Sequence, residues 1–323
     1  MTKKREIGEF LQGVNRVAIA GHVNPDGDCI GSCMGTFLYL RDNYPDIRSD
    51  VYLERASAVF DFIADLDKAQ DSLPEDASCD LLILLDVSSR ERIGVAGALL
   101  EKTEKILCFD HHVTNPGGYT WFFNEPDASS ASEVVYGFMD EDRVSADCAA
   151  AIYTGIVNDT GVFQYASTSP DTMRLAARLM EKGIPFSRII DQSYFQKSWE
   201  QNRACGHVLL NSELFYGGQL IMGTLSAEEM CDLHVAPMDM EGIAEALRST
   251  IGVEVSAFLY EKEPGVCKVS LRSKETADVS GLAQTFGGGG HIHAAGCLLL
   301  CPLAEAKEKI REGCKSLFRE EES

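Results

Sequence analysis

Apolar residues along the chain fall into two kinds of run. Short continuous stretches, residues 16–20 (RVAIA), 80–85 (DLLILL) and 105–109 (KILCF), read as strands buried on both faces. Residues 50–53 and 119–123 are shorter β-prone stretches. Between them lie segments of helical spacing, at 30–43 and 129–139. A further one has apolar residues at 149, 152, 153, 156 and 157 and ends at Asp159, with Gly161 as its stop. Strands alternating with helices predict βαβ units and a parallel sheet with helices on both faces.

The second half has another rhythm. Residues 219–225, 253–260 and 266–272 are strand-like, while 227–233, 238–250, 279–286 and 302–318 are helix-like, the last followed by an acidic tail. Polar residues 187–204 read as a helical connector. The expected plan is therefore a domain over 1–186, that connector, and a smaller α/β domain over 205–323. The chain's 323 residues suit two domains.

In a parallel sheet, ligands collect outside the carboxyl ends of the strands. Three strand-like runs here end in polar clusters. The first runs into His22, Asp26 and Asp28, the second into Asp86, and the third into Asp110, His111 and His112. Asp159 ends the helical segment. Four carboxylates meeting on one rim repel one another, and two divalent cations cancel four negative charges. Mixed carboxylate and imidazole donors suit Mn²⁺, with Mg²⁺ or Co²⁺ as alternatives. The metal-ligand candidates are His22, Asp26, Asp28, Asp86, His111 and Asp159, with Asp86 placed to bridge.

A second signal is Gly287, Gly288, Gly289 and Gly290 followed by His291, set between apolar segments. Glycines there let backbone N–H groups approach an anion. Arg272, ending a strand-like run, can add a bidentate fork to a phosphate.

Charge narrows the partners. Lys and Arg number 29 against 50 Asp and Glu, a net charge of −21. That excess argues against a track for long nucleic acid, whose binding rests on cations. The 11 cysteines are scattered, form no CxxC pair and mostly lie in apolar stretches, which predicts a reduced, cytoplasmic protein. The basic N-terminus is not followed by the apolar core of a signal peptide. No apolar run approaches a membrane span. The P-loop, dinucleotide, HExxH and GxSxG signatures are absent. A homodimer is expected from base rates alone.

Together the motifs HVNPDGDCIGS (22–32), LLILLDVS (81–88), Asp110-His111-His112, NDTGVF (158–163) and GGGGHIHAAG (287–296) resemble the DHH/DHHA1 phosphoesterase family. The resemblance spans nearly the whole chain, and its two-domain plan is most similar to the small stand-alone members of the NrnA type. Those degrade very short RNAs, and many also remove the 3′-phosphate of pAp. It implies an N-terminal DHH domain with two divalent metal ions, one held by His22, Asp26 and Asp86, the other by Asp28, Asp86, His111 and Asp159. It implies that His112 meets the scissile phosphate or leaving oxygen and that Asp110 orients the histidines. The DHHA1 domain is then the part that grips substrate through Arg272, Gly287–Gly290 and His291, with the cleft between domains favouring short nucleotides. A cyclic-dinucleotide or pApA phosphodiesterase, and a RecJ-like single-strand exonuclease, are the alternative activities for the same site. Asn158, where many members have Thr, and Ser89, where an acid is expected, depart from the pattern.

Overall fold

The computed structural model describes residues 5–318, so the acidic tail expected after residue 318 lies outside the described residues. The chain divides into two units, one ending at Gln196 and the other starting at Lys197.

The first unit carries five strands, β1 (Arg16–Ala20), β2 (Arg48–Tyr52), β3 (Leu81–Leu85), β4 (Ile106–Asp110) and β5 (Trp121–Asn124). Every neighbouring pair is parallel, in the order β2-β1-β3-β4-β5. Its α-helices are α1 (Gly27–Asn43), α2 (Ala131–Tyr136), α3 (Ala146–Asp159), α4 (Pro170–Glu181) and α5 (Phe186–Ile190). β3 is buried along its whole length because both faces are covered. On one face Val17, Ile19, Ile83 and Phe109 pack with residues of α1, α2 and α3. On the other, Ala18, Leu82 and Cys108 pack with Ile93, Ala96 and Leu99, where 3₁₀ turns replace α-helices. The parallel order reverses direction between β1 and β3, which opens a crevice beyond the carboxyl ends of those two strands.

Helices α1 and α3 approach each other closely. Glycines recur every fourth residue of α1, at 27, 31 and 35, and so share one helix face. A Cβ at Gly31 would stand 2.6 Å from the Ala151 carbonyl oxygen and 2.6 Å from the Gly155 amide nitrogen, both in α3. A Cβ at Gly155 would in turn lie 2.6 Å from the Asp28 Oδ1 atom and against Ser132. Small residues on both helices therefore make the room in which Asp28 sits.

The second unit has helices α6 (Trp199–Leu210), α7 (Ala227–Leu233), α8 (Ile243–Arg248), α9 (Val279–Thr285) and α10 (Leu303–Cys314). Its strands are β6 (Glu213–Phe215), β7 (Leu220–Leu225), β8 (Val255–Glu263), β9 (Val266–Ser273), β10 (Gly289–His291) and β11 (Ala294–Leu299). They form one sheet, ordered β10-β11-β9-β8-β7-β6, with only β7 and β8 parallel. Each face of this sheet has its own core. Val255, Ala257, Val269 and Leu271 pack with residues of α9 and α10, while Ile221, Phe258 and Tyr260 pack with residues of α6, α7 and α8.

Residues 187–204 are shared between the two units. Ile189 of α5 belongs to the first unit's core, whereas Ala204 of α6 belongs to the second's. A five-residue π-helix, Asp191–Phe195, continues α5 up to the division. The helix expected over 238–250 is broken at Gly242, whose φ of 84° caps α8. The glycine run is half turn and half edge strand, since Gly289 and Gly290 pair with β11. Among the described residues no helix is long and apolar enough to cross a membrane, and every cysteine is a free thiol.

The helix contact gives a signed prediction. Gly31→Ala puts a methyl against backbone that cannot step aside, so it should destabilise the first unit by about 1–3 kcal/mol. Gly206→Ala in α6, where nothing lies within 4 Å of the added atom, should stabilise by ~0.5–1 kcal/mol. Urea midpoints for the two variants should move in opposite directions with unchanged slopes.

Candidate metal centre

The polar clusters after β1, β3 and β4 meet at the crevice. His22 follows β1 by two residues. Its Nδ1–H donates to the Val23 carbonyl oxygen at 2.9 Å, an oxygen that can only accept. Nδ1 therefore always carries a proton, and Nε2, the nitrogen a metal would use once deprotonated, is 3.4 Å from Asp86 Oδ2 and 3.7 Å from Asp26 Oδ2. Asp26 is the N-cap of α1, accepting from the amides of Asp28 and Cys29 at 3.1 Å each. Asp28, in the first turn of α1, is buried. The amides of Ala131 and Ser132 at the start of α2 donate to its two oxygens at 2.6 and 3.0 Å.

Asp86 stands one residue beyond β3 with a φ of 57°, a left-handed conformation uncommon for a non-glycine residue. Its carboxylate lies between imidazoles. Besides His22, its Oδ1 atom is 3.6 Å from His111 Nε2 and 3.5 Å from His112 Nδ1. That oxygen is buried and has no hydrogen-bond partner. His111 Nε2 is also 3.5 Å from Asp159 Oδ2, at the end of α3. Donor atoms within 4.8 Å of one another thus form three groups: His22, Asp26 and Asp86; Asp28, His111 and Asp159; and Asp86, His111 and His112. All six residues proposed from sequence as ligands are brought together.

The electrostatics of the cluster are in conflict. Burial would lower the pKa of His22, but the carboxylates of Asp26 and Asp86 outweigh it and hold the imidazole up at about 12. His111 is likewise held up at about 10 against its burial, by Asp86, Asp159 and Asp28. Asp28 is pushed up to about 7, first by burial and then by the charge of Asp86. Asp159 is raised well above the carboxylate range, first by burial and then by Asp28. Asp86 goes the other way, because His22 and His111 overcome its burial. The raised carboxyls and imidazoles are the response to that conflict, and among the described residues no lysine or arginine forms an ion pair with Asp26, Asp28, Asp86 or Asp159.

The donor set fits divalent metal ions. It offers carboxylate oxygens and imidazole nitrogens, one buried carboxylate oxygen without a donor, and a charge imbalance that cations would relieve. His22, Asp26 and Asp86 form one ligand group, and Asp28, His111 and Asp159 another, with Asp86 between them.

Further hydrogen bonds hold these residues in place, one from Asp110, which the resemblance named, and others from Asn115 and Asn158. The Asp110 Oδ1 atom accepts from His112 Nδ1–H at 2.8 Å, which fixes the tautomer of that ring. Its Oδ2 atom accepts from Asn115 Nδ2 at 2.7 Å, and the same amide donates to the Val87 carbonyl at 2.6 Å. Asn115 thereby ties the loop after β4 to the loop after β3. Asn158, next to Asp159, packs over Gly27 and donates to Ser193 Oγ at 3.0 Å. The available signal for Asn115 was an amide side chain within five residues of Asp110 in one loop. Asn158 stood out in the sequence only as a departure from the family pattern, and its partner is 35 residues away.

Arg272, Gly287–Gly290 and His291 gather in the second unit. Across the sheet Arg272 pairs with Ala294, and Ala294 with His291, so these three residues lie side by side on one face. Arg272 Nε is 3.7 Å from Glu245 Oε2, and its Nη1 donates to the Leu271 carbonyl at 2.9 Å.

Residues 16–156 match the DHH family, N-terminal domain, and residues 222–320 match the DHHA1 domain. The chain is 30% identical to the bifunctional oligoribonuclease and PAP phosphatase NrnA of Thermus thermophilus, over 97% of this chain and 94% of that protein. It is 26% identical to the protein of the same name from Bacillus subtilis, over 91% of this chain and 92% of the relative. The crystal structure of an exopolyphosphatase-related protein from Bacteroides fragilis superposes with a TM-score of 0.88 at 25% identity, covering 96% and 94% of the two chains. On these matches, two domains in family order and a relative aligned from end to end, the chain belongs to the DHH/DHHA1 phosphoesterase family.

Proposed function

We propose that this phosphoesterase is a metal-dependent hydrolase of very short oligoribonucleotides that also removes the 3′-phosphate of pAp in the cytoplasm. The observation that carries the reading is Asp86, a buried carboxylate set between three imidazoles with one oxygen lacking any hydrogen bond. The names of the Thermus and Bacillus relatives supply the substrate class.

In this reading His22, Asp26 and Asp86 hold one divalent ion, and Asp28, Asp86, His111 and Asp159 hold a second, Mn²⁺ being best matched to such donors. When bound, the pair supplies Lewis-acid polarisation of phosphoryl oxygens and makes water acidic enough to act near neutral pH. The protein's own groups do the rest. Asp110 keeps the proton of His112 on Nδ1, so Nε2 is the nitrogen that meets a phosphate oxygen or hands a proton to the leaving oxygen. Asn115 keeps Asp110 in position. Arg272, His291 and the glycines at 287–290 bind the rest of a short nucleotide. The net charge of −21 disfavours a long polyanion, and so favours short substrates.

Three outcomes test this. Asp86→Ala should lose bound metal and lower turnover by more than the roughly 10–100-fold that loss of a ligand's hydrogen-bond partner costs. Metal content from dialysed protein and turnover of pApA measure both, and full retention of either would remove Asp86 from the site. Adding Mn²⁺ at pH 7 should release more than one proton per chain, because His22 and His111 are charged there and must bind as neutral rings. The release should shrink as pH rises toward 10, where His111 in the metal-free protein loses its proton. Calorimetry in buffers of differing ionisation enthalpy counts it, and binding without proton release would contradict the ligand set. Finally, dinucleotides to pentanucleotides and pAp should be turned over in preference to long single strands. Preferred hydrolysis of long strands or of cyclic di-AMP would replace this reading with an exonuclease or a cyclic-dinucleotide phosphodiesterase.

A further inference from the structure

One face of the second unit's sheet is covered over only part of its width. Residues of α6, α7 and α8 cover β7 and β8 on the side of Phe258 and Tyr260. From β9 outward that face is polar or bare. Lys268, Ser270 and Arg272 alternate on it, each only partly buried, while Cys267, Val269 and Leu271 point to the opposite core. The register continues the face across the next strands: Ser270 pairs with Gly296, and Gly296 with Gly289. Along its inner border runs a groove of about 250 Å³, walled by Met238, Tyr260 and Glu245 and floored by the β9 side chains.

Two features distinguish this face from a merely solvated one. The first is Gly289. A Cβ there would meet nothing within 4 Å, and its backbone is not left-handed, so neither packing nor conformation requires a glycine. Glycine in a strand without such a reason marks a place where something approaches the backbone. The second is Lys268. A strand lysine usually extends into water, but this one folds back over β11. Its Nζ lies 3.4 Å from where a Cβ on Gly296 would be. Among the described residues its ammonium has no carboxylate within 4.0 Å, whereas the other cation of this face, Arg272, looks onto Glu245. The uncompensated positive charge of the face therefore belongs to Lys268.

We infer that Lys268 is a specificity-determining residue that receives the terminal 5′-phosphate of a short nucleotide lying on the Gly289–Gly296 floor. A terminal phosphate monoester carries roughly −1.5 to −2 charges at neutral pH, more than a linking diester, and has three oxygens to accept from an ammonium. Such a group gains most from a cation that no carboxylate neutralises. Lysine acts here as a point charge and sets charge preference, leaving planar recognition to Arg272. This assignment rests on the short-nucleotide reading above and names which nucleotides that site prefers.

The test compares wild type, Lys268→Gln and Lys268→Arg, with 5′-AMP against adenosine in equilibrium binding and pApA against ApA in turnover. Lys268→Gln should weaken 5′-AMP binding and raise the KM for pApA by about tenfold, the order expected for one charge-assisted contact. Adenosine binding, the KM for ApA and kcat should stay within about twofold, and Lys268→Arg should recover most of the loss. Equal changes for phosphorylated and unphosphorylated ligands, or none for either, would overturn the assignment while leaving the hydrolase reading intact. A wild-type protein that binds 5′-AMP in a Lys268-dependent way but cleaves no dinucleotide would sink the hydrolase reading and keep this one. Failure of wild type to bind 5′-AMP more tightly than adenosine would overturn the role of Lys268 outright.

Discussion

The constraint on which the first domain depends is the repulsion among carboxylates that the fold forces together. Asp26, Asp28, Asp86 and Asp159 arrive from α1, the end of β3 and the end of α3, and among the described residues the bases grouped with them are histidines. Buried like charges are expensive unless they are paired, coordinated or neutralised. The raised carboxyls of Asp28 and Asp159 and the raised imidazoles of His22 and His111 are the protonic form of that neutralisation. A pair of divalent cations is the other form, and it leaves oxygens and imidazole nitrogens free to work as ligands.

The scaffold that imposes this conflict is built from close approach. Glycines 27, 31 and 35 let α1 lie against α3, and Gly155 clears the space that Asp28 fills. The switch in strand order between β1 and β3 supplies the crevice. Hydrogen bonds then aim the side chains. The start of α2 grips Asp28, a backbone carbonyl fixes the tautomer of His22, and Asp110 with Asn115 fixes that of His112.

Much of this was legible along the chain, because the ligands sit where continuous apolar runs stop. RVAIA, DLLILL and KILCF are strands β1, β3 and β4 to within a residue, and the clusters after them converge because a parallel sheet puts its strand ends on one rim. Asp159 was legible because the 3.6-residue period of its helix ends on it. What was hidden depends on distance in sequence. Asn158 meets a residue on a π-helix 35 positions away, and Ser132 meets Asp28 across 104 positions. Gly242 split an apparently continuous helical period, and half of the glycine run pairs as an edge strand that has no side chains to signal alternation. Lys268 looked like any strand lysine until the pairing of β9, β11 and β10 put it beside two glycines on an open face.

The most direct measurement is anomalous diffraction at the manganese edge from crystals grown with Mn²⁺. The account predicts two peaks flanking the Asp86 carboxylate, one beside His22 and Asp26 and the other beside Asp28, His111 and Asp159. No peak at this rim, or manganese bound only by residues outside this set, would contradict it.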